Sequence, residues 1–215
     1  MLAIIGGSGL YHLDGLVVTE EHTVSTPFGE PSSPITQGQY QDHQVLFLAR
    51  HGEGHQFLPH EVNYRANIFA LKSLGAQRVL GFSAAGSLRQ EIRPGELALT
   101  AQYFDHTRGK RSYSFFGDGV SAHVSTAYPT CPALGDDIAD AAARIGQHLH
   151  HEKTYACVEG PRLGSRAESF FLRDSAKCDL VGMTNVPEVF LAREAQMAYC
   201  CLCLVTDYDC WMDDP

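Results

Sequence analysis

Short apolar runs alternate along this chain with longer stretches of helical periodicity, and that alternation narrows the fold most. Leu2-Ala3-Ile4-Ile5, 45–49, 79–82, 96–100, 155–158, 180–183 and 200–205 read as strands. Segments 63–74, 138–149, 165–175 and a stretch reaching Ala195 read as helices. Gly75 is placed to stop the first helix. Ser165 and Glu168 have capping-box spacing at the start of another. Strands that alternate with helices imply an α/β fold, with a mixed, largely parallel twisted sheet flanked by helices. The segment 107–132 is rich in Gly, Ser and Tyr, lacks a period and is long for a plain connector.

The last apolar run, 200–205, is followed by Asp207 and Asp209. Ligands of open α/β sheets bind outside the carboxyl ends of strands. Two carboxylates there can accept the amino hydrogens of a base or share a proton. The alternative is a solvated acidic turn.

The chain has 215 residues, 44% of them hydrophobic, which suits one domain over 1–215. Its net charge of −9 argues against binding a nucleic-acid backbone, although one small anion can still be held locally by Arg and backbone N–H groups. No apolar run is long enough to cross a membrane, and the first ten residues carry no basic leader. Seven cysteines, three of them within 200–203, point to buried thiols in a reducing, cytoplasmic setting. His148, His150 and His151 fall near a predicted helix end, and no ligand set has zinc spacing, so no metal is expected.

Polar clusters recur where the predicted strands stop: Gly6-Gly7-Ser8-Gly9, Arg50-His51, Ser83-Ala84-Ala85-Gly86 and Met183-Thr184. A glycine turn exposes N–H groups to an anion, hydroxyls add donors, and Arg adds a fork matched to phosphate oxygens. Each cluster alone is a weak signal: the glycines at 6–9 also read as an ordinary turn, and Arg50 as a surface residue. The glycines at 6–9 miss the dinucleotide fingerprint, which sets aside a nicotinamide-dependent oxidoreductase.

Eight ordered motifs carry a resemblance that runs from Ile4 to Trp211. They are Ile4-Ile5-Gly6-Gly7-Ser8-Gly9-Leu10, Thr26-Pro27-Phe28-Gly29, Ala49-Arg50-His51-Gly52, Val62-Asn63-Tyr64-Arg65-Ala66-Asn67, Ala85-Gly86-Ser87-Leu88, Glu159-Gly160-Pro161-Arg162, Met183-Thr184-Asn185-Val186-Pro187-Glu188 and Thr206-Asp207-Tyr208-Asp209-Cys210-Trp211. Through them the chain resembles the methylthioadenosine phosphorylases of the trimeric purine nucleoside phosphorylase family. That resemblance implies a homotrimer and phosphorolysis of S-methyl-5′-thioadenosine, with inorganic phosphate as co-substrate and no cofactor. It implies that Ser8, Arg50, His51, Ser83, Ala84 and Thr184 hold phosphate, that Met183 contacts the ribose through its backbone, and that Asp207 and Asp209 address the base. Leu163 and Gly164 would line the nucleoside site, and His123 would cap a neighbouring subunit's 5′ pocket. His55 and Asn185 stand close to the site.

The chain also departs from that pattern. Ser8 and Ser83 stand where the family commonly has Thr, which keeps the hydroxyl. Gly164 and Gly182 stand where adenine-specific members commonly carry Ser and Asn, which is expected to loosen the base and sugar subsites. The chain also ends before the helical segment with which family members continue. The related readings are phosphorolysis of S-methyl-5′-thioinosine or of purine nucleosides more broadly. A reading of another class is a non-catalytic binder of purines or small aromatic ligands on the same fold.

Overall fold

The structure, a computed structural model, describes residues 1–10 and 13–213. Its nine strands are β1 (Leu2–Gly6), β2 (Val17–His22), β3 (Ile35–Tyr40), β4 (His43–Ala49), β5 (Arg78–Ser87), β6 (Leu97–His106), β7 (Leu149–Val158), β8 (Leu180–Gly182) and β9 (Ala198–Asp207). They form one sheet in the order β2-β3-β4-β1-β5-β8-β7-β6-β9. β9 also pairs with β5, so the second half of the sheet closes on itself. Five of the nine pairings are parallel, the mixed arrangement expected.

Continuous apolar sequence made β1, β4 and β9 legible: β1 and β4 bury both faces along their apolar runs, and β9 does so from Tyr199 to Cys201 before Leu204 becomes half exposed. β2 and β3 were not foreseen. β2 reads Val-Val-Thr-Glu-Glu-His, is largely exposed and sits at the sheet edge, where burial leaves no pattern.

Four helices pack on the sheet: α1 (Tyr64–Ser73), α2 (Pro132–Arg144), α3 (Arg166–Phe170) and α4 (Asn185–Glu194). The Asn63 side chain caps α1 by accepting from the Ala66 N–H at 3.2 Å. The predicted capping box at Ser165 and Glu168 is present, and a wider turn, Phe171–Ser175, continues α3. The helix expected over 138–149 is present but shifted toward the N-terminus, sharing only residues 138–144 with that range. Pro132 at its first turn starts it early, and Leu149 already belongs to β7. His150 and His151 are therefore strand residues, and His150 Nε2 sits 2.7 Å from Glu96.

Ser83 to Gly86, expected where this strand stops, lie within β5. β1 pairs with β5 only as far as Gly81, and β8 joins that edge only at Gly86. From Phe82 to Ala85 that edge of β5 has no partner strand, so its backbone is left for groups other than a strand, as where the Phe82 carbonyl accepts from Arg50.

Candidate active site

That open edge forms the floor of a cavity of about 340 Å³. Ser8, Arg50, His51, Ser83, Ala84, Met183, Thr184, Asp207, Asp209, Leu163 and Gly164 all line it, as does His55. Residues within or just beyond β1, β4, β5, β8 and β9 thus meet at one place. Asn185 lies behind Thr184, fully buried, and its side chain makes no hydrogen bond within the protein. His123 is exposed on the 107–132 loop and does not line this cavity.

Arg50 is fully buried. Its Nε and Nη2 donate to the two carboxylate oxygens of Glu188, and Nη1 donates to the Phe82 carbonyl at 2.7 Å. Burial opposes the charge, but the Glu188 carboxylate outweighs it and holds the guanidinium protonated, above its ordinary pKa. A guanidinium has five N–H donors, so two remain beyond these three bonds. Gly7 is required beside it. A Cβ there would lie 2.4 Å from the Phe82 carbonyl oxygen and 2.9 Å from Arg50 Nη1.

His51 stacks on His55 with ring centroids 4.4 Å apart. Its Nδ1 lies 2.8 Å from the Phe57 carbonyl, which can only accept, so Nδ1 carries the proton and Nε2 is left as an acceptor. Burial, helped by the Arg50 cation, lowers its pKa to about 4 against the opposing pull of the Phe57 carbonyl. Ser83 and Thr184 bring their hydroxyls 3.3 Å apart. The anion end thus gathers two guanidinium N–H donors, three hydroxyls and a neutral imidazole acceptor.

At the other end, Asp207 closes β9 and Asp209 opens a short turn, Asp209–Trp211. Asp207 accepts from the Thr206 hydroxyl at 2.7 Å and from the Asp209 N–H at 2.8 Å. The Ser169 hydroxyl donates to Asp209. Gly86 lies against the pair, where a Cβ would come 2.9 Å from Asp207 Oδ1.

The two glycine departures behave differently. A Cβ on Gly164 would meet only Glu168 Oε2, at 4.0 Å, so that wall is open as expected. A Cβ on Gly182 would lie 1.9 Å from the Tyr155 hydroxyl. The space is filled by Tyr155 from the neighbouring strand, so Gly182 does not loosen the site. The buried Tyr155 hydroxyl makes no hydrogen bond within the protein.

Sequence reasoning missed two charged groups. Glu188 orients Arg50 from α4; it closes the Met183-to-Glu188 motif, but nothing in that motif marks its role. Arg111 lies under the 107–132 loop, and nothing in its flanking sequence marks it. Phe57, Leu58 and Pro59 supply an unforeseen apolar wall. Among the described residues, no group of three or more His, Cys, Asp or Glu is placed to hold a metal ion.

A phosphorylase superfamily model matches residues 1–215. The S-methyl-5′-thioadenosine phosphorylase of Hyperthermus butylicus is 49% identical over 214 residues, covering 100% of this chain and 78% of its own length. That of Thermococcus kodakarensis is 48% identical, with 100% and 81% covered. A methylthioadenosine phosphorylase from an antarctic soil metagenomic library superposes with a TM-score of 0.94 at 45% identity, over 99% of this chain and 75% of that one. The Schistosoma mansoni methylthioadenosine phosphorylase in complex with adenine superposes with a TM-score of 0.94 at 36% identity, over 98% and 80%. The chain belongs to the phosphorylase superfamily.

Proposed function

We propose that this protein is a purine nucleoside phosphorylase that converts S-methyl-5′-thioadenosine and phosphate into adenine and 5-methylthioribose 1-phosphate. One observation carries the reading: an anion-binding end built from Arg50, Ser83 and Thr184 and a base-binding end built from Asp207 and Asp209 share one cavity of about 340 Å³. The likeness to methylthioadenosine phosphorylases at 45–49% identity supports it.

The chemistry follows from the parts. Cleavage of the N-glycosidic bond passes through an oxocarbenium-like state. Phosphate held at Arg50, Ser8, Ser83, Ala84, Thr184 and His51 stabilises that cation and then attacks C1′, so neither a protein nucleophile nor a cofactor is required. The His51 Nε2 lone pair suits a phosphate that still carries one proton. The leaving purine gathers negative charge, which a proton delivered to N7 neutralises. Asp207 delivers it after taking one up, exchanging the Thr206 hydroxyl for the purine as its partner. Asp209 accepts from the 6-amino group. Met183 packs at the ribose, and Phe57, Leu58, Pro59 and Leu163 give the apolar walls that a purine ring and a thioether want.

The working form is a cytoplasmic homotrimer in which His123 closes a neighbour's 5′ pocket. Its exposed position on the 107–132 loop and the seven unpaired cysteines fit that setting.

Product analysis with methylthioadenosine and methylthioinosine side by side, with and without phosphate, tests the reading. Phosphate-dependent release of adenine supports it. Preference for methylthioinosine moves the assignment to the 6-oxopurine, and binding without release reduces the protein to a ligand-binding module.

A further inference from the structure

The 107–132 loop sends one cation into the interior. Arg111 is only 7% exposed, and its donors reach the ends of two neighbouring strands. Nη1 donates to the carbonyls of Met183 at 2.7 Å and Val186 at 2.5 Å. Nη2 donates to the Glu159 carbonyl at 2.9 Å, and Nε to the Glu159 carboxylate at 3.1 Å. That carboxylate also accepts from the Arg108 N–H at 2.6 Å, which fastens the loop to the same point. Arg111 does not itself line the cavity.

We propose that Arg111 is a positioning residue for the anion end of the site, acting through the peptide that joins Met183 to Thr184. In a trans peptide the carbonyl and the following N–H point in opposite directions. The Met183 carbonyl is turned back onto Arg111, outside the cavity. The Thr184 N–H is therefore turned toward the cavity, on the side where the Thr184 hydroxyl stands 3.3 Å from that of Ser83. One planar guanidinium holds Met183, Val186 and Glu159 at once, which an ammonium, a point cation on a flexible stem, does not reproduce. The inference deepens the phosphorolysis reading and rests on it for the identity of the anion.

Two variants and two readouts test it. Arg111→Lys keeps the charge and loses the fork. Glu159→Gln removes the ion pair and leaves the bonds from Arg111 to Met183 and Val186. Arg111→Lys is expected to raise the phosphate KM tenfold or more, well beyond any change in the nucleoside KM. Glu159→Gln is expected to leave the phosphate KM within about threefold, even where its melting temperature falls. In amide-resolved NMR with inorganic phosphate as the titrant, the Thr184 resonance moves in the parent and in Glu159→Gln and fails to move in Arg111→Lys. An Arg111→Lys protein with the parent's phosphate KM and Thr184 response overturns the proposal. So does an equal rise in both KM values in both variants, which marks Arg111 as structural only. If the parent turns over no nucleoside, the phosphorolysis reading falls, and the Thr184 titration still decides the role of Arg111.

Discussion

Glu188 grips the guanidinium of Arg50 side-on, with carboxylate oxygens 2.7 Å from Nε and 2.8 Å from Nη2. Both side chains are buried, and the Tyr199 hydroxyl donates to Glu188 at 2.8 Å as a third contact. A buried pair adds little net stability over an apolar one, but it fixes direction. Here, with the Phe82 carbonyl, it leaves two N–H donors of the fork uncommitted.

Arg50→Lys loses that end. The phosphate KM is expected to rise at least tenfold, in keeping with about 1.5–3 kcal/mol for a hydrogen bond to a charged group. Steady-state kinetics with phosphate varied at saturating nucleoside measures it. Unchanged phosphate dependence removes Arg50 from the anion site. Glu188→Gln leaves a buried cation unpaired and is expected to cost about 3–5 kcal/mol in urea unfolding.

His51 makes stability depend on pH. Its folded pKa of about 4 lies below the ordinary 6.5, so the folded protein binds fewer protons than the unfolded chain between those values. The contribution is fully present above about pH 6.5 and is lost as pH falls toward about 4. Urea midpoints taken across this window should fall less steeply for His51→Gln than for the parent. Parallel curves for the two proteins contradict the assignment.

Tyr155 and Gly182 exclude each other. Gly182→Ala places a methyl 1.9 Å from the Tyr155 hydroxyl and 2.6 Å from its ring carbon, so the single variant is expected to lose about 1–3 kcal/mol or more by overpacking. In a Tyr155→Leu background the same alanine should cost much less. A double-mutant cycle reads this as a coupling of about 1 kcal/mol or more. Additive effects show that the chain relieves the contact elsewhere.

The base end is tested by Asp207→Asn. Loss of a general acid is expected to cut turnover by about 10²–10⁴-fold. The new amide can donate to a 6-oxopurine, so methylthioinosine should suffer less than methylthioadenosine. Equal losses for both nucleosides remove the selectivity role, and no loss for either returns the pair to a solvated acidic turn.

Much of this site was legible in the sequence because its parts sit at sharp transitions. Ser8 follows an apolar run and a glycine turn, Arg50 ends another run, and Asp207 ends the last. The edge strand β2 and its neighbour β3 were hidden because their Thr, Glu and Gln residues leave no apolar alternation to read. Ser83 to Gly86 looked like the end of a strand because small residues follow the apolar run there, whereas the pairing of β5 with β9 carries the strand straight through them. The roles of Glu188 and Arg111 were illegible for a common reason. A charge earns burial only through partners distant in sequence: Glu188 finds Arg50 138 positions away, and Arg111 finds Met183 72 positions away. The closed space over Gly182 was equally illegible, since its occupant, Tyr155, comes from another strand.

The most direct measurement follows oxygen. Methylthioadenosine is turned over with ¹⁸O-labelled phosphate, and the sugar product is examined by ³¹P NMR and mass spectrometry. Phosphate attack at C1′ predicts a pentose 1-phosphate formed one for one with adenine, with labelled oxygen bridging phosphorus and C1′. Free methylthioribose carrying oxygen from water, released at the same rate with or without phosphate, contradicts it.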